Sequence, residues 1–155
     1  IKPISYYGKT KLLAERYVIQ ELKKSKTGYC IARIFSTTNK NQKKNYLVPD
    51  LKKKIKSAKK KLTLYNLSHY RDFVSMKDIS KIIFYLYRKK FNGIINIGSG
   101  RGIYLKDIAI YIADYYKKIV EFKDNNKETY LVANNLKLNK IYKKNLTKNF
   151  KELIF

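Results

Sequence analysis

Tyr7 stands four residues ahead of Lys11 in the string Tyr7-Gly8-Lys9-Thr10-Lys11, near the start of the chain. On a helix, positions i and i+4 lie on one face, so a phenol and an ammonium would meet there. A phenol loses its proton near pH 10 and is a poor base at neutral pH. An ammonium beside it favours the phenolate and brings such a group nearer to a working pH. The pair could therefore give or take a proton.

The spacing alone is not diagnostic. The chain holds 15 tyrosines and 31 lysines, and Tyr85 precedes Lys89 in the same way. Two such matches are no more than chance supplies in so lysine-rich a chain. Context separates them: no Gly, Ser or Thr lies between Tyr85 and Lys89, which sit inside an apolar stretch.

The segment carrying Tyr7 and Lys11 has no proline over 7–24, and Leu13, Ala14, Tyr17, Val18 and Leu22 recur at three- and four-residue intervals. That predicts an amphipathic helix, stopped near Thr27-Gly28. Residues 29–35 form a short apolar run suited to a buried strand, and a polar loop over 36–46 follows. Pro49 precedes a lysine-rich helix from 50 to about 58. Short strands are predicted over 62–65 and 72–75 around a loop at 66–71. Ser75 and Asp78 have capping-box spacing for a helix with Ile79, Ile82, Ile83, Leu86 and Tyr87 on one face. A strand at 94–97, a helix at 105–116, a strand at 119–122, a loop at 123–128 and two short helices after 135 complete the pattern. Alternating strands and helices indicate an α/β domain.

A chain of 155 residues with 45% apolar and 30% charged residues is one globular domain's worth. It contains no apolar run of 18 residues and no signal-peptide core. The lone Cys30 excludes an internal disulfide and fits a reducing cytoplasm. Within Tyr29-Cys30-Ile31-Ala32 it is expected to be a buried, inert thiol. The net charge of +25 suggests a polyanion partner, so a basic nucleic-acid-binding module is the alternative reading. Against it, only five of the basic residues are arginines, the type that clamps phosphates and reads bases. Residue 1 is Ile, which points to processing or to the carboxyl-terminal piece of a longer protein.

The string Pro3-Ile4-Ser5-Tyr6-Tyr7-Gly8-Lys9-Thr10-Lys11, with Ala14 and Glu15 after it, resembles the active-site helix of extended short-chain dehydrogenases. This is the NAD-dependent epimerase/dehydratase family acting on nucleotide sugars, with Thr10 here where Ser is usual. Ala32-Arg33-Ile34-Phe35-Ser36 resembles the family's Arg-x-Phe-Asn strand, with Ser36 in place of Asn. Leu47-Val48-Pro49 resembles the segment ahead of the substrate-side helix. Arg71-Asp72-Phe73-Val74-Ser75-Met76-Lys77-Asp78-Ile79 resembles Arg-Asp-Phe/Tyr-Val/Ile-x-Val-x-Asp-Val/Leu, and Asn96-Ile97-Gly98-Ser99-Gly100 resembles a further family motif. Asn134-Asn135-Leu136-Lys137-Leu138 is similar to Asp-x-x-Lys-Leu near the family's end.

The resemblance implies the carboxyl-terminal part of a Rossmann-type α/β fold with a small substrate-binding subdomain. Residues 1–45 would hold the catalytic helix and the following Rossmann strand, and 46–155 mainly the substrate-binding part. The N-terminal NAD-binding half, with its Gly-x-x-Gly-x-x-Gly turn, has no counterpart here. The implied activity is that of a nucleotide-sugar epimerase, dehydratase or reductase using NAD or NADP. Tyr7 would be the general acid/base and meet the cofactor, and Lys11 would tune it and hold the cofactor's ribose. Ser36, Val48 and Arg71 would meet a nucleotide-diphosphate sugar, Arg71 at the diphosphate. Asp72 and Asp78 are expected to be structural, and His69 is given no role. No metal is implied. The family resemblance further implies a cytoplasmic location and a homodimer built on the tyrosine-bearing helix. A non-catalytic remnant of the family is a further alternative.

Overall fold

The computed structural model describes all residues except 1, 2, 4, 44, 144, 145, 147 and 148. Ile1, Ile4 of the opening motif, Lys44 of the polar loop and part of the tail therefore lie outside the described residues. In chain order the elements are α1 (Tyr6–Lys24), β1 (Cys30–Ile34), β2 (Ser36–Thr38), α2 (Leu47–Ser57), β3 (Lys61–Tyr65), β4 (His69–Arg71) and β5 (Phe73–Ser75). They continue with α3 (Met76–Arg88), β6 (Gly93–Ile97), β7 (Ile103–Tyr104), α4 (Leu105–Tyr115), β8 (Ile119–Lys123), β9 (Thr129–Leu131), α5 (Leu136–Ile141) and a 3-10 turn (Phe150–Leu153). The fold is mixed α/β with mainly parallel pairing, as expected. β1 pairs with β6, β2 with β5 and β3 with β8, all in parallel, while β4 lies between antiparallel β7 and parallel β9.

Two cores result, and β5 stands between them. Phe73 packs with Val48, Leu51 and Ile55 of α2 and with Ile108 and Ile112 of α4. Its neighbour Val74 packs with Ile79, Ile82 and Leu86 of α3 and with Ile95 and Ile97 of β6. Successive side chains of a strand point to opposite faces, so one short strand serves both cores. The predicted cap is present: Ser75 Oγ accepts from the Asp78 amide at 2.9 Å and starts α3.

Several expectations need correction. α2 begins at Leu47, ahead of Pro49, because the first turn of a helix has no partner for the amide that proline lacks. Residues 69–71 are a strand, not loop, and 129–131, for which the sequence pattern predicts no element, form a strand beside it; segments of three residues are too short to show periodicity. Ser36–Thr38 is likewise a strand within the expected polar loop. On α3, Ile83 and Tyr87 are exposed while the other expected face residues are covered. Cys30 is exposed rather than buried. It is the first residue of β1, which among the described residues pairs only with β6. Partial desolvation still pushes its thiol above the ordinary value, Lys137 acting in the opposite sense.

α1 shows the largest departure. No residue of it is fully buried. Gly8, Leu12, Glu15, Ile19 and Leu22 are half-buried, whereas Leu13 and Tyr17 of the expected face are 63% and 66% exposed. The helix carries two apolar stripes, and the half-buried one contains Glu15, whose carboxylate pairs with Arg33 of β1.

Asp124 ties the end of β8 to the turn after β3. Its Oδ1 accepts from the Leu67 and Ser68 amides at 2.7 and 3.2 Å, and Oδ2 meets Lys106 Nζ at 2.6 Å. The Lys106 hydrogen bond, ahead of those from Ser68 and Leu67, pulls the carboxyl down to about 2. A carboxyl lowered from an unfolded value near 3.9 stabilises the fold above that pH and loses the effect as pH falls toward 2. Wild type should therefore melt above Asp124→Asn at pH 7, and the gap should close between about pH 4 and 2. Thermal midpoints across that range test it; a constant gap would refute the assignment.

Candidate active site

The N-terminus of α1 is built from Pro3, Ser5 and Gly8. Ser5 Oγ accepts from the Gly8 amide at 3.0 Å, and the Thr10 hydroxyl donates to the Tyr7 carbonyl at 2.9 Å. A Cβ on Gly8 would come within 3.0 Å of the Pro3 Cβ and 3.2 Å of Ser5 Oγ, so glycine lets the chain fold tightly over the first turn. Tyr7 thereby lies in the first turn, 70% exposed, with Lys11 Nζ 5.6 Å from its ring centroid. The two side chains share one side of the helix. The Tyr7 hydroxyl has no hydrogen-bond partner among the described residues.

The second pair is a control. Lys89 Nζ lies 5.9 Å from the Tyr85 ring, nearly the same arrangement. The Tyr85 hydroxyl, however, donates to the Ile141 carbonyl at 2.7 Å, which ties α3 to α5. Cation and ring meet wherever the spacing occurs on a helix; what distinguishes Tyr7 is a hydroxyl left available.

Lys11 lines a cleft of about 390 Å3 with Glu15, Arg33, Phe35, Asn96 and Asn134. Arg33 Nε donates to both Glu15 oxygens at 2.9 and 3.0 Å, and its Nη2 also binds Oε2. This fork-like pairing raises the Arg33 pKa through the Glu15 hydrogen bond. With side chains 25% and 19% exposed, it joins α1 to β1 one helical turn beyond Lys11. Both residues belong to the sequence motifs, but their mutual pairing was not legible there.

Phe35 leads from this cleft to Ser36, whose ladder partner on β5 is Phe73. Ser36 is half-buried, and Phe73 follows Arg71 by two residues along the chain. Arg71 in turn lies opposite Leu131, next to Val132 on the cleft wall. Of the expected site residues Lys11 alone lines the cleft; Ser36 follows the lining residue Phe35, and Arg71 pairs opposite Leu131, beside the lining residue Val132. Val48 differs: its side chain is 2% exposed within the α2–α4 core, so only its backbone could meet a ligand. Past Ser36, the buried Thr37 and Thr38 hydroxyls and the Gln42 side-chain carbonyl have no hydrogen-bond partner among the described residues.

Asp72 is fully buried. It accepts from the Ser99 amide and hydroxyl at 2.8 and 2.6 Å, from Gly100 N at 2.8 Å and from Ala133 N at 3.1 Å. The expected structural role holds, but the partners lie 27 to 61 residues away. Gly98 sits so close that a Cβ there would fall 2.7 Å from Asp72 Oδ2 and 2.3 Å from the Ala133 Cβ. The glycine-rich turn is shaped around a carboxylate of this chain, which accounts for its lack of dinucleotide-binding spacing.

This is thus an α/β fold whose capped opening helix carries Tyr7 and Lys11 on one side, with Lys11 lining a cleft. The chain belongs to the NAD dependent epimerase/dehydratase family, whose profile matches residues 1–98. It is 30% identical over 125 residues to GDP-6-deoxy-D-talose 4-dehydrogenase of Aggregatibacter actinomycetemcomitans, covering 80% of this chain and 42% of that protein. Among solved structures, RMD from Pseudomonas aeruginosa complexed with NADPH superposes with a TM-score of 0.85 at 17% identity, over 99% of this chain and 55% of that one. The dTDP-glucose 4,6-dehydratase of Bacillus anthracis in complex with NAD gives 0.84 at 19% identity, over 99% and 51%. The UDP-N-acetylglucosamine 4-epimerase of Bacillus cereus gives 0.78 at 23% identity, over 99% and 52%. The chain thus spans about half the length of the relatives it matches. Among the described residues no helix is long and apolar enough to cross a membrane.

Proposed function

We propose that this chain is the acid/base and substrate-binding half of a nucleotide-sugar epimerase, dehydratase or reductase. The observation that carries the reading is the Tyr7 phenol, unpartnered among the described residues, beside Lys11 at a cleft that leads through Phe35 to Ser36. Tyr7 gives or takes the proton of a sugar hydroxyl or carbonyl. Lys11 holds a positive charge against the phenolate form and donates to the ribose of NAD or NADP. Arg71 binds the diphosphate of the nucleotide sugar, Ser36 offers a hydroxyl to it, and Val48 contributes backbone alone.

The residues present fit the nicotinamide end of such a cofactor: Lys11 lines a cleft of about 390 Å3, and the Tyr7 ring lies beside its ammonium with a hydroxyl unpartnered among the described residues. They do not provide a pyrophosphate cradle, since no Gly-x-x-Gly-x-x-Gly turn occurs in the chain. When bound, the nicotinamide supplies the hydride chemistry; this chain supplies the proton and the position. Residues 1–45 and 46–155 divide as catalytic helix with its strand and mainly substrate-binding part, and the missing half comes from the remainder of a longer parent. The parent works in the cytoplasm as a homodimer, and the exposed Leu13–Tyr17–Val18 stripe of α1 suits a helix-to-helix interface.

Calorimetry on the 155 residues tests the division of labour. No heat of binding is expected with NAD or NADP. Tight dinucleotide binding would overturn it. Duplex DNA binding that weakens steeply between low and moderate salt would instead favour the nucleic-acid reading.

A further inference from the structure

The two faces of β4 do different things. Tyr70 points to one side, stacked between Tyr104 of β7 at 4.7 Å and Tyr130 of β9 at 4.4 Å between ring centroids. His69 and Arg71, at alternate positions, share the other side. Thr129 lies opposite His69 in the parallel ladder and alternates with Tyr130, so it falls on the His69–Arg71 side.

There the three side chains form a chain of hydrogen bonds. Arg71 Nη1 donates to Thr129 Oγ1 at 3.0 Å, to the Tyr70 carbonyl at 2.8 Å and to the Thr129 carbonyl at 3.4 Å. Thr129 Oγ1 lies 3.0 Å from His69 Nδ1. A guanidinium only donates, so the threonine oxygen must accept from it. The same oxygen shares a hydrogen bond with Nδ1 of His69, its donor set by the imidazole tautomer. Among the described residues, every hydrogen bond of the guanidinium falls on one nitrogen. Nη2 and Nε have no partner among the described residues, and together they form the edge that matches two oxygens of a phosphate group.

We propose that Thr129 and His69 are positioning residues that clamp Arg71 by Nη1 and turn its Nε–Nη2 edge outward for the diphosphate of the substrate. The inference rests on the reading of Arg71 as the diphosphate contact. The strand pairing brings the three together although Thr129 is 58 residues from Arg71. Thr129 fixes the orientation because its hydroxyl and its carbonyl grip the same nitrogen. His69 fixes the hydroxyl.

The test uses the 155-residue chain titrated with UDP-glucose and, separately, with inorganic pyrophosphate, alongside arginine side-chain NMR. Thr129→Val is expected to weaken both probes about fivefold, and Thr129→Ser to restore them, with urea midpoints of both variants tracking together. The Arg71 Nη1 protons should exchange and rotate slowly in wild type and Thr129→Ser, and faster in Thr129→Val and His69→Phe. If Arg71→Gln weakens the probes while Thr129→Val does not, the clamp is refuted and the diphosphate reading stands. If Arg71→Gln changes nothing, or no probe binds, the diphosphate reading falls, and the clamp is judged on the Nη1 signals alone. Unchanged Nη1 signals in Thr129→Val overturn it.

Discussion

Tyr7→Phe is expected to abolish most turnover of a nucleotide sugar once the chain works with a dinucleotide-binding half. The loss should be roughly 100- to 10,000-fold, the range for removing a positioned general acid/base, or about 3–5 kcal/mol of barrier. Cofactor affinity should hold to within about twofold, because the ring and Lys11 remain and only proton transfer is lost. The structure makes this a clean substitution. Tyr7 is 70% exposed, its hydroxyl anchors nothing among the described residues, and its ring stays beside Lys11. The urea midpoint should therefore not move. Tyr85→Phe is the matched control: it deletes the bond to the Ile141 carbonyl and costs about 1 kcal/mol of stability, with turnover intact. Activity surviving in Tyr7→Phe, or lost equally in Tyr85→Phe, would remove Tyr7 from the proton path.

The largest stability effect is expected at Asp72. Its carboxylate accepts four hydrogen bonds while fully buried. Asp72→Ala strands three backbone amides and a hydroxyl, and should cost about 3–5 kcal/mol. That is a large share of the 5–15 kcal/mol that folded domains typically possess. Asp72→Asn keeps the shape but turns one acceptor oxygen into a donor. Facing amide donors at Gly100 and Ala133, it should lose nearly as much. Urea unfolding with unchanged slope would show the effect as stability. An Asp72→Asn midpoint equal to wild type would mean the carboxylate is not what holds the Gly98–Gly100 turn.

These two residues also show what could be seen before the fold. Tyr7 and Lys11 were legible because their relation is local: four residues on a helix define a shared face whatever lies around it. Ser75 and Asp78 were legible for the same reason. The structural character of Asp72 was foreseen, but its partners at Ser99, Gly100 and Ala133 were not, since hydrogen bonds across 27 to 61 residues leave no periodic trace. The pairing of Glu15 with Arg33 is of that kind. So is the Arg71–Thr129–His69 chain, built on two strands of three residues, one read as loop and the other given no assignment. The apolar face of α1 was misjudged because helical periodicity reports that a face exists, not what it meets. Leu13 and Tyr17 satisfy the pattern, while the half-buried stripe is the one bearing Glu15.

The order of residues along the chain was enough to establish an α/β alternation, the family motifs and the candidate proton-transfer pair, all of which depend on contacts within a helical turn or on contiguous strings. Only the folded chain settled which hydroxyl stays free, which side chains are core and which carboxylate shapes the glycine turn. Val48, Tyr85 and Asp72 received their places from residues distant in sequence. Burial and hydrogen-bond satisfaction are properties of an environment assembled by long-range packing, and no local stretch contains them.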